Sequence, residues 1–180
     1  KFYYNTGYYI QALEQSDKDL IETSKTGIKL DDLFFTPTYI LRAEILNSLS
    51  RYHEAYAQAE QLYKMHKPVQ KEEQVIFGRI YTQMARAELG IGNIETALKY
   101  ARKAKTIFIN DQARNNKEGE LDNSKDTDLA TALIAEGDVL SALGKSEEAM
   151  SNYKLAKNIY WNIYGIQNLG NMDNVSYLFA

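Results

Sequence analysis

Three stretches of this chain put small residues on one narrow helical stripe just after a chain break, and few folds accommodate that. In 81–104 the break is Gly90-Ile91-Gly92, followed by Ala97, Ala101 and Ala104. In 136–160 (EGDVLSALGKSEEAMSNYKLAKNIY) Gly144 stops one helix, Glu147-Glu148 open the next, and Ala149, Tyr153 and Ala156 follow. In 36–62 the break falls near Ser50-Arg51, with Ala55, Ala59 and Leu62 beyond it. Positions i, i+4 and i+7 share one side of a helix. Small residues there let two helix axes approach closely, and an aromatic fills the space between them. Each stretch is therefore a helix–turn–helix unit, and the unit recurs.

The rest of the chain agrees with helices. Apolar residues recur at three- and four-residue spacing and no long alternating run occurs. The only prolines are Pro37 and Pro68, and Thr36-Pro37 reads as a helix start, with Thr as N-cap. Hydrophobic residues make up 44% and charged residues 25%, enough apolar surface to drive folding. The segment 110–128 (NDQARNNKEGELDNSKDTD) carries six acids and three bases, which equals the net charge of -3 for the whole chain. It is expected to be a solvated loop inserted between repeats, with Asp126 or Asp128 capping the next helix.

The aligned units resemble the tetratricopeptide repeat. Tyr39, Tyr81 and Leu133 stand at its large first-helix position, Ala43, Ala85 and Gly137 at its small one, and the Ala55, Ala97 and Ala149 stripes follow. Ala97 follows Ala55 by 42 residues and Ala149 follows Ala97 by 52, against about 34 in the common form. The long period resembles that of kinesin light chain and of the Rap-type bacterial regulators. The resemblance implies an all-α, right-handed α-solenoid forming a single domain over 1–180. It divides into a degenerate repeat at 1–35, repeats at 36–77, 78–109 and 129–165, the acidic insert at 110–128, and a further first helix or closing helix at 171–180. In the degenerate copy Tyr3 and Gly7 take the large and small positions, and 18–30 is its second helix.

Chemistry is hard to place on this chain. It has no Cys, which removes disulfides, thiolate nucleophiles and Cys-based zinc sites. His53 and His66 have no second ligand four residues on, so neither metal binding nor acid–base work is expected. Asp122, Ser124, Asp126 and Asp128 alternate like the start of a calcium loop, but Thr127 and Leu133 stand where Gly and a bidentate Glu are needed. Gly90-Ile91-Gly92 follows no strand and lacks a third Gly, so it is a helix–helix turn. Glu72-Glu73 and Glu147-Glu148 suit the positive ends of helices. No enzyme, cofactor or metal is expected. The pI near 5.5 argues against a nucleic-acid partner, and no run approaches the length of a membrane span.

The expected function is to hold a protein or peptide partner on the concave surface lined by first helices. The resemblance places Tyr4, Asn5, Tyr8 and Gln11 there, then Ile40, Leu41, Glu44 and Asn47, then Arg79, Thr82, Gln83 and Arg86, then Thr131, Ile134, Ala135, Asp138 and Ser141. Amides among them can bond a peptide backbone as donor and acceptor, and Arg79 and Arg86 are expected to meet an acid of the ligand. The 14 tyrosines supply core bulk and some contact surface. Tyr4 and Tyr8, or Ile40 and Glu44, replace the residues with which chaperone adaptors of this family hold a C-terminal carboxylate, so that ligand is not expected. The alternative is a Rap-like regulator in which a signalling peptide changes the curvature. Val175, Tyr177, Leu178 and Phe179 end the chain without a polar cap, so continuation into further repeats, or a homo-oligomer formed through exposed ends, is also expected. The chain starts at Lys1 rather than Met, which reads as a mature or trimmed fragment, and the expected location is cytoplasmic.

Overall fold

The computed structural model describes residues 7–27, 33–67, 74–118 and 123–164, with side chains placed over 7–27, 33–67, 74–111 and 127–163. Among the described residues every regular element is helical. These are α1 (Tyr9–Ser24), a 3-10 turn (Leu33–Phe35), α2 (Thr36–Ser48), α3 (Tyr52–His66), α4 (Val75–Ile91), α5 (Ile94–Glu118), α6 (Asn123–Ala142) and α7 (Ser146–Tyr164). None of them is long and apolar enough to cross a membrane.

Helices consecutive in the chain pack on one another, and α2 also touches α4, as α4 touches α6. The reason lies in the turns. The residues Ser50, Gly92 and Gly144, at φ of 58°, 100° and 73°, each stand five positions before the first Ala of a stripe. After each, an amide reaches back over the turn: Arg51 N to Leu46 O, Asn93 N to Glu88 O and Lys145 N to Leu140 O, at 2.9, 2.8 and 2.9 Å. A left-handed residue satisfies the last carbonyls and reverses the chain at once. Ser50 does so with a Cβ, at a cost of about 1–2 kcal/mol that glycine avoids. The three hairpins are thus α2/α3, α4/α5 and α6/α7.

The stripes are buried as their spacing requires. Ala55, Ala59, Leu62, Ala97, Ala101, Ala104, Ala149 and Ala156 all lie in the interior, as do Tyr39, Ala43, Tyr81, Ala85 and Leu133. Gly137 meets the Tyr153 ring directly: a Cβ there would stand 2.9 Å from both Cδ1 and Cζ. Gly90 lies equally close under Tyr52 and Gly78 under Phe108. Three glycines therefore admit aromatics from three neighbouring helices.

Four expectations change. The segment 110–128 is helical over 110–118 and again over 123–128; the inserted length extends α5 and α6, so neither Asp126 nor Asp128 caps the start of α6. Residues 9–24 form one helix crossing the boundary expected between two, while Gly7 sits in a turn at φ 77° with open space around it. Helix α1 is thus a single rod laid on α2, held by Ala12 and Leu13 against Ile45 and Leu46 and by an ion pair between Asp17 and Arg42. Thr36 does not cap α2. Its hydroxyl donates to Leu33 O at 2.7 Å and so receives the His66 Nε2 proton at 2.8 Å, which makes His66 a tie between α3 and the entry to α2. The expected helix at 171–180 and residues Val175 to Phe179 lie outside the described residues.

Candidate functional site

A cleft of about 490 Å³ opens where α2, α4 and the start of α6 meet. Helix α2 contributes Pro37, Thr38, Ile40, Leu41 and Glu44; α4 contributes Arg79, Thr82 and Gln83; α6 contributes Thr127, Asp128 and Thr131. Phe108 of α5 forms the floor, and it gets there because Gly78 has no side chain: a Cβ at that position would stand 2.6 Å from the ring's Cζ. One missing methyl group thus lets an aromatic of α5 reach a cleft between α2, α4 and α6.

The polar groups are tied to one another. Arg79 donates to Asp128 Oδ2 through Nε and Nη2, at 2.8 and 2.7 Å, joining α4 to α6. Asn47 Nδ2 donates to the Gln83 backbone carbonyl at 3.2 Å and to Gln83 Oε1 at 3.1 Å, and the Gln83 amide makes a long 3.5 Å contact to Glu44. The Asn47 carbonyl oxygen is buried without a partner, a costly state for an amide. Thr131 Oγ1 donates to Thr127 O at 2.8 Å and so accepts from the Tyr160 hydroxyl at 3.2 Å. The cleft presents threonine hydroxyls and one amide network above an apolar floor.

Seven residues placed on the concave surface by the sequence line this cleft: Ile40, Leu41, Glu44, Arg79, Thr82, Gln83 and Thr131. Asn47 lies beside it, nine-tenths buried. Arg86 and Asp138 interact on the next turns of α4 and α6, where the Tyr153 hydroxyl donates to Asp138 Oδ1 at 2.8 Å. Burial holds the Asp138 carboxyl above its ordinary value; the Tyr153 bond and the Arg86 charge pull the other way. Asp138 therefore belongs to the packing of α6 against α7.

The remaining assignments separate. Ile134 and Ala135 are core residues, Ser141 is exposed, and Tyr8 and Gln11 are exposed at the start of α1 and do not line the cleft. Tyr4 and Asn5 lie outside the described residues. Arg79 is turned onto Asp128 rather than held out for a ligand's acid. Sequence reasoning did not place Pro37, Thr38, Phe108, Thr127 and Asp128 at this site. The Gly78–Phe108 pairing has no signal in a single helix's period.

A second depression of about 600 Å³ runs along α5 past Leu98, Lys99, Arg102, Lys103 and Thr106, with Tyr81 at its base. Lys103 stands 4.9 Å over that ring, and Tyr81 stacks on Tyr100 at 16°. Among the described residues no group of three His, Asp or Glu side chains is placed to hold a metal ion. Compared with known proteins, the chain matches no protein-family model, and no curated protein is significantly similar to it.

Proposed function

We propose that this chain is a non-catalytic scaffold of the tetratricopeptide kind, whose hairpins stack into a right-handed solenoid and hold an extended peptide of a partner protein. The observation that carries this reading is the cleft formed by the first helices of three successive hairpins. Its walls are rigid, because α2, α4 and α6 touch in series and are cross-tied by Asn47–Gln83 and Arg79–Asp128. A peptide laid there loses exposed area without ordering its host, which keeps the entropic cost of binding on one partner. The wall residues Thr38, Glu44, Arg79 and Thr131 carry hydrogen-bonding groups that a main chain can use whatever its sequence.

The test is selection of random peptides on the folded chain, followed by anisotropy titration of the hits. Leu41→Glu and Thr131→Trp, both at half-buried positions on the walls, are expected to weaken those hits at least about tenfold with the helical circular dichroism unchanged. Hits that bind both variants as tightly as the parent, or a selection that enriches nothing, count against the reading.

A further inference from the structure

The first and last described helices carry matching stripes on their outer flanks. Helix α1 rests on α2 and α7 rests on α6, each burying one side. On the flanks beside those buried sides, α1 carries Ile10, Glu14, Asp17 and Ile21, and α7 carries Met150, Lys154, Lys157 and Trp161, with Asp17 and Lys157 half-buried. Both series run i, i+4, i+7, i+11, a single line along a helix. The outer members are large apolar side chains left substantially in water: Ile10 61%, Ile21 56%, Met150 53% and Trp161 41% exposed. Between them α1 places two acids and α7 places two bases. Asp17 is committed to Arg42 of α2 and Lys157 is half-buried with contacts of its own, which leaves Glu14 and Lys154 as the exposed acid and base.

We propose that the α7 stripe of one copy docks on the α1 stripe of the next, joining copies of this chain head to tail. The spacing of four, three and four reads the same in both directions. Either helix orientation therefore sets apolar ends against apolar ends and acids against bases. The self-pairings are disfavoured: α1 on α1 opposes acid to acid, and α7 on α7 opposes base to base. A contact between two different patches does not close on itself, so growth continues past the dimer unless the rotation forms a ring. One helix pair gives an interface at the small end of the specific range, so the association is weak, with a dissociation constant on the order of 100 μM. This inference stands apart from the cleft and survives if no peptide binds there.

Sedimentation of the chain from micromolar to millimolar concentration tests it. The weight-average mass is expected to climb beyond twice 20.6 kDa, and to fall back as salt screens the ion pairs. Glu14→Lys and Trp161→Ala are each expected to weaken association at least about tenfold with melting unchanged, both positions being exposed. Combining Glu14→Lys with Lys154→Glu restores association if the helices run parallel, and combining it with Lys157→Glu does so if they run antiparallel. A chain that stays monomeric throughout, a plateau at the dimer, single variants without effect, or no recovery in either double variant overturns the proposal.

Discussion

Replacing Gly137 by Ala tests whether the small position of the third hairpin exists to admit an aromatic. Two effects oppose. Alanine is favoured over glycine inside a helix by about 1 kcal/mol. Against that, the new methyl would lie 2.9 Å from Cδ1 and Cζ of Tyr153 and closer still to Cε1. The ring must move, at a cost of about 1–3 kcal/mol for an overfilled core. Its hydroxyl is pinned to Asp138 at 2.8 Å, and losing a bond to a charged acceptor costs a further ~1.5–3 kcal/mol. The net expectation is destabilisation by about 2–4 kcal/mol. Urea unfolding followed by helical circular dichroism reads this as a midpoint lowered by roughly 1–2 M at a slope near 2 kcal/mol/M. In a Tyr153→Leu background the same change is expected to be neutral or stabilising, because the ring and its bond are gone. A Gly137→Ala chain as stable as its parent, or an equal loss in both backgrounds, refutes the argument that close approach is what this glycine provides.

Two further outcomes are expected. Glu136 is 4% exposed and is held by Lys105, by Arg102 at 3.5 Å and by Asn152 at 2.9 Å, so Lys105→Ala, which strands a buried carboxylate, should cost about 3 kcal/mol. Arg102→Ala, at the longer and half-exposed contact, should cost under about 1 kcal/mol in the same denaturation assay. Asp138 has a folded-state carboxyl held above its unfolded value by burial; its ionised form therefore weighs against the fold at neutral pH, and that penalty disappears as pH falls below the ordinary aspartate range. Asp138→Asn, which still accepts from Tyr153, should be the more stable chain at pH 7, with the gap closing toward pH 3; a gap that widens on acidification contradicts the sign.

The hairpins were legible because their determinants are local. An alanine stripe fixes a helix's buried side, and a glycine five residues earlier fixes the reversal, so Ala55, Ala97 and Ala149 located three units from spacing alone. Ser50 shows the limit: it takes the left-handed role without being glycine, and only Arg51 bonding to Leu46 reveals it. What failed depended on partners in other helices. The charge of 110–128 is compatible with a helix as well as with a loop, since composition alone does not separate the two. Tyr3 and Gly7 satisfied the large–small pattern, yet among the described residues Gly7 meets no ring, and without that partner the pattern has no physical force. In the cleft, the period of α2 and α4 identified Ile40, Glu44 and Gln83. Asp128 closing on Arg79, and Phe108 rising past Gly78, are contacts between helices that no single helix's period encodes.

Packing mainly between adjacent hairpins, among the described helices, also bears on how the molecule yields to force. Strain applied at the first and last described helices falls first on those helices, α1 and α7. Extension is therefore expected to proceed as a series of small releases, peeling inward, with no single shear-loaded barrier that must fail all at once.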